Sequence, residues 1–121
     1  MSNVMPLTAD AVREFVNNRS VGFYRLGRVI DGQFYIDYFG RSDTNLQRRL
    51  LEHVKSGAYS TFEFLETNSI GDAYHMECSE WHLNGQRTMN KIHPALAEGL
   101  PYACPWCDLA AQMERQAEVF A

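Results

Sequence analysis

Four residues in the second half of the chain have the types and spacing of a metal site. Cys104-Pro105-Trp106-Cys107 forms a Cys-x-x-Cys, and Cys78 precedes His82 by four positions. Residues four apart on a helix share a face, so Cys78 and His82 can offer two ligands and the turn two more. Thiolate and imidazole ligands in tetrahedral order suit Zn²⁺, and four protein ligands leave no open position, so the expected role is structural. His93 and His75 are the substitutes if His82 points elsewhere. A redox pair or unrelated thiols are the competing readings. A thioredoxin-like site needs a βαβ context that this sequence lacks.

A second group suits anions. Arg41, Arg48 and Arg49 carry guanidinium groups, each able to grip two phosphate oxygens at once. His53 follows Arg49 by one helical turn, where it can hold an oxygen or pass a proton. The chain as a whole has a net charge of −4, which argues against a strong nucleic-acid binder. That charge is unevenly spread. Residues 21–60 hold six basic residues (Arg25, Arg28, Arg41, Arg48, Arg49, Lys55) against four acidic ones (Asp31, Asp37, Asp43, Glu52). A basic face on an acidic body fits a weak, locally steered phosphate binder, although charge alone favours a solvated surface with no partner.

The elements that must position these groups are legible in outline. Thr8 to Asn18 reads as a helix, capped by Thr8 or Asp10, with Ala11, Val12, Phe15 and Val16 as its apolar stripe. Two strand-like runs, Val21 to Ile30 and Gln33 to Phe39, flank Asp31-Gly32, a dipeptide that favours a tight hairpin because both turn residues take positive φ. Asn45 to Ser56 is amphipathic, with Leu46, Leu50, Leu51 and Val54 on one face, Asp43 or Thr44 as cap and Gly57 as stop. Thr61 to Glu66 alternates as a third strand. Ser69 to Leu83 reads as a helix closed by Asn84-Gly85, residues 85–107 as an ordered loop, and Asp108 to Phe120 as a C-terminal helix. The expected fold is α+β, a small antiparallel three-stranded sheet flanked by helices. The expected organisation is an N-terminal helix (1–20), a central domain (21–92) and a C-terminal extension (93–121).

The hairpin carries Gly22-Phe23-Tyr24 on its first arm and Tyr38-Phe39-Gly40 on its second, followed by Asn45-Leu46-Gln47-Arg48-Arg49 and His53 on the next helix. This combination resembles the GIY-YIG nuclease superfamily, found in homing endonucleases and in the nuclease domain of bacterial excision repair. Residues 21 to about 90 match in order and element type. The resemblance implies an endonuclease that hydrolyses phosphodiester bonds with a water nucleophile and a divalent cation, Mg²⁺ or Mn²⁺. It implies that Tyr24 or Tyr38 orients or deprotonates the water and that Arg49, three residues after Leu46, binds phosphate, with Arg48 as the alternative. Glu77, one turn after Ala73, is the implied metal ligand, with Glu80 as its rival. Asn90 closes the set, or Asn84 in its place. Gly40, Arg41 and Arg48 are implied to contact substrate.

At 121 residues the chain fits one compact domain with short extensions. It lacks an apolar run of the roughly 20 residues that span a bilayer. No secretory signal is visible at the N-terminus, so a cytoplasmic location and no membrane partner are expected. DNA is the expected partner ahead of RNA, with specificity supplied by substrate shape or a protein partner. The other readings are a catalytically inactive nucleic-acid-binding or adaptor module of the same fold, and a zinc-stabilised protein-interaction domain.

Overall fold

The computed structural model describes residues 3–96 together with Gly99, Cys104, Trp106 and Cys107. The expected helix over Asp108 to Phe120 lies outside the described residues. Within them the order is β1 (Met5–Pro6), α1 (Ala9–Phe15), β2 (Gly22–Ile30), β3 (Gln33–Ser42), α2 (Leu46–Ser56), β4 (Thr61–Glu66) and α3 (Ile70–Asn84), then a 3₁₀ turn over Gly85–Arg87. The fold is α+β, a four-stranded antiparallel sheet in the order β1-β4-β2-β3 with three helices among the described residues. The expectation of three strands therefore fails by one. β1 pairs Met5 with Phe62 and Pro6 with Thr61. Two residues are too few to show alternation in sequence.

Local chemistry explains most of the boundaries. Asp31 and Gly32 take φ of 52° and 79° at the hairpin turn. Mirror-image turns match the twist of the flanking strands and require such angles. Thr8 caps α1, its side chain accepting from the Ala11 N–H. Asn45 caps α2 by accepting from Arg48 N–H, in place of the expected Asp43 or Thr44. Gly57 ends α2 at φ 70°, and Ser69 caps α3. β3 runs three residues past the expected end, to Ser42, because β2 extends down to Gly22 and pairs with it.

The sheet is covered on both faces. On one, Ala11, Val12 and Val16 from α1 and its end, and Leu46 and Leu50 from α2, bury against Tyr24, Leu26 and Phe62. Each fully buried leucine there contributes about 1.5–3 kcal/mol. The N-terminal helix thus shares its core with the central segment. On the other face α3 packs on β2 and β3. That layer is partly polar. Arg25 bonds both Glu63 and Glu80, carboxylates only 5% and 2% exposed. Among the described residues, no helix is long and apolar enough to cross a membrane.

Candidate functional site

Tyr24 is the centre of the first cluster. It is fully buried, and its hydroxyl lies 2.9 Å from His53 Nε2. Gly40 sits directly opposite on β3, where a Cβ would meet the Tyr24 hydroxyl at 2.5 Å. The second glycine of the motif is therefore space for the first tyrosine. Gly22 plays a similar part, since a Cβ there would overlap the Leu65 carbonyl of β4 and meet a Leu46 methyl at 2.8 Å.

Tyr38 is not directly opposite Tyr24, which pairs with Gly40. Tyr38 pairs with Leu26, and the two tyrosine rings are diagonal neighbours with centroids 6.5 Å apart. A register shift follows between Leu26 and Gly27, leaving Asp37 as an extra residue in β3. Tyr38 stacks on Tyr59 at 5.9 Å and lies 5.5 Å from the His53 ring.

Two residues of α2 complete this side. Arg49 lies beside the Tyr24 hydroxyl, which raises the Arg49 pKa, and reaches Glu52 at 3.3 Å. Arg48, the alternative, is exposed and shares a shallow rim with Arg41, Arg49 and Asn45. Burial pushes the Tyr24 phenol well above its ordinary value, with Tyr38 adding to the rise and Arg49 opposing it. Burial and the Arg49 charge lower the pKa of His53. At neutral pH the pair is phenol and neutral imidazole. The phenol O–H then donates to Nε2, since a buried donor needs an acceptor.

Glu77 approaches from α3. Its charge is felt by Tyr24, and with Tyr38 it lines a depression of about 340 Å³ walled by residues 89–95. Burial raises the Glu77 pKa, and Arg41 opposes the rise. Arg41 donates from Nη1 to Glu77 Oε1 at 2.5 Å, from Nε to Asp43 at 2.9 Å and from Nη2 to the Ala95 carbonyl at 2.6 Å. It is a tie between β3, α3 and the following loop. Asn90 is equally engaged. Its side chain accepts from Phe39 N–H at 3.1 Å and donates to Phe39 C=O at 2.8 Å, while Met89 N–H bonds Asp37 C=O. This segment clasps the outer backbone groups of β3. The two rivals lie elsewhere. Glu80 is committed to Arg25, and Asn84 donates to Glu80 at 2.6 Å.

A second cluster lies at the end of α3. His82, His93, Cys104 and Cys107 each place one ligand atom so that all lie within 4.8 Å of one another, a group that could hold a metal ion such as zinc. The expected set was Cys78, His82, Cys104 and Cys107. Three members are in place, but Cys78 is not in the group and His93 is. Cys78 is a fully buried residue of α3, packed with Tyr74 and Cys104. Burial pushes its thiol up to about 12, with Tyr74 opposing the rise and Cys104 adding to it. His75 is outside the group as well.

No protein-family model, curated protein or solved structure matches this chain.

Proposed function

We propose that this chain is a metal-dependent nuclease of GIY-YIG type that hydrolyses phosphodiester bonds, with DNA as substrate ahead of RNA. The observation that carries this reading is the gathering of Arg49 and His53 around the Tyr24 hydroxyl, which is hydrogen-bonded to His53, with Tyr38 and Glu77 on the wall of the adjoining depression. These five come from four separate elements, β2, β3, α2 and α3, and the motif resemblance assigns them one reaction.

Their chemistry supports distinct roles. Arg49 and exposed Arg48 offer guanidinium groups to phosphate oxygens, stabilising charge that grows as water attacks phosphorus. Tyr24 is sealed in the core, so it holds Arg49 and His53 in place. Tyr38 lines the depression and is the hydroxyl that orients the attacking water. His53 stays neutral and keeps an acceptor nitrogen for proton traffic with Tyr24. Glu77 offers a hard carboxylate oxygen beside open space, a sparse donor set that suits a cation retaining most of its waters. When bound there, Mg²⁺ or Mn²⁺ supplies Lewis-acid stabilisation of the phosphate.

One observation favours a second reading. Arg41 already neutralises Glu77 at 2.5 Å, which competes with any cation. A module of the same fold that binds nucleic acid through Arg48 and Arg49 without turnover would look like this. The test is cleavage of single-stranded, duplex and branched DNA and of RNA with Mg²⁺ or Mn²⁺, comparing the wild type with Arg49→Ala and Glu77→Gln. Cleavage lost in both variants supports the nuclease. Salt-dependent binding without cleavage moves the reading to the adaptor, and cleavage surviving in both variants removes the assigned residues from the chemistry.

A further inference from the structure

The four ligand atoms at the end of α3 do more than lie near one another. Zinc bonds of about 2.3 Å to sulfur and about 2.0–2.1 Å to nitrogen, at tetrahedral angles, put each nitrogen about 3.6 Å from each sulfur. The separations are 3.6 Å for His82 Nε2 to Cys104 Sγ, 3.4 Å for His82 Nε2 to Cys107 Sγ and 3.3 Å for His93 Nε2 to Cys107 Sγ. These three of the six edges match a zinc tetrahedron to within a few tenths of an ångström, and the other three are no longer than 4.8 Å.

The tautomer of His93 points the same way. Its Nδ1 lies 2.8 Å from the Pro94 carbonyl, an acceptor only, so Nδ1 carries the proton and donates. The Nε2 lone pair is left facing the sulfurs. A backbone carbonyl holding the far nitrogen of an imidazole is the usual outer support of a metal-bound histidine. Thiolate ligands select zinc over the hard cations that carboxylates prefer.

We propose that His82, His93, Cys104 and Cys107 bind one structural zinc ion, which locks the segment after α3 in place and thereby holds the Asn90 clasp on β3. His82 belongs to α3, while His93 stands three residues beyond Asn90 on a segment with no helix or strand of its own. Asn90 closes both hydrogen bonds on Phe39, and His93 lines the same depression as Glu77. Without a cross-link, this segment is held by a few part-buried or exposed hydrogen bonds. The ion joins it to α3 and to Cys104 and Cys107 at once. This holds whether or not the chain cuts nucleic acid.

The test uses the full chain, purified under reducing conditions with no zinc added. About one zinc per chain is expected by elemental analysis. Cobalt(II) exchanged into the wild type should give thiolate-to-metal charge-transfer absorption and the intense visible bands of a tetrahedral site, a readout that needs no variant to fold. Cys107→Ser and His93→Ala should lose the ion, while Cys78→Ala should keep it. Hydrogen exchange at the Phe39 amide should speed up when a chelator removes the metal, with β2 and β4 still protected. A folded wild type that takes up neither zinc nor cobalt overturns the site. Zinc lost from Cys78→Ala as fully as from Cys107→Ser overturns the ligand set. Unchanged exchange at Phe39 after metal removal overturns the link to the Asn90 clasp.

Discussion

Gly40→Ala is the sharpest probe of the tyrosine cluster. Gly40 sits in regular β3 with no positive φ, so alanine meets no backbone penalty there. The cost is steric. The new methyl would stand 2.5 Å from the Tyr24 hydroxyl and 2.8 Å from the ring carbon that bears it. Comfortable contact begins at about 3.5 Å. Tyr24 is fully buried with Phe62, Leu26 and Leu50 in the same core, so the ring cannot retreat without strain. Overpacking of this kind costs about 1–3 kcal/mol. A displaced hydroxyl also loses its bond to His53, worth about 1 kcal/mol. Alanine offsets about 0.4–1 kcal/mol by restricting the unfolded chain. The net loss is about 2 kcal/mol, read as a lower urea midpoint with unchanged slope. In a Tyr24→Phe background the nearest atom is gone, so Gly40→Ala should cost less, with a coupling of about 0.5–1.5 kcal/mol in the double-mutant cycle. The residual cost reflects the ring carbon at 2.8 Å. A Gly40→Ala chain as stable as wild type would refute the close approach, and so would an equal cost in both backgrounds.

Two further outcomes follow from buried charge. The His53 pKa is lowered in the fold from an ordinary 6.5 by burial and then by Arg49. The unfolded chain therefore takes up a proton first, so this stability is fully present above 6.5 and lost as pH falls through the folded value. Urea midpoints measured from about pH 7.5 down to about pH 5 should fall more for wild type than for His53→Gln, and parallel profiles would count against a buried neutral imidazole. Arg25→Met leaves Glu63 and Glu80 buried side by side without their cation, at a cost of about 3–5 kcal/mol. Adding Glu63→Gln and Glu80→Gln to that variant should restore much of the loss. A single-variant cost below about 1 kcal/mol would show that the triad is solvated rather than buried.

The sequence alone determined the short-range parts of this protein. Asp31-Gly32 specified the hairpin because its two positive φ angles are a local requirement. Leu46, Leu50, Leu51 and Val54 marked α2, and the alternation over Thr61–Glu66 marked β4, because each signal lies within one element. The residues of the tyrosine cluster were also named from sequence, through motif order. Tertiary structure alone decided their relations. β1 is invisible locally because Met5 and Pro6 are a strand only by virtue of Thr61 and Phe62. The Leu26/Gly27 shift put Tyr38 opposite Leu26 and so on the same face as Tyr24, and a bulge leaves no pattern in composition. Helical spacing correctly put Cys78 and His82 on one helix, but it cannot say which part of that helix meets the following segment. Packing buried Cys78 against Tyr74 and Cys104 and brought His93 to the sulfurs in its place. Arg41 shows the same limit, since its ties to Asp43, Glu77 and Ala95 join positions up to 54 residues apart. Contacts at that separation are fixed by how the sheet and helices close over one another, which no local pattern encodes.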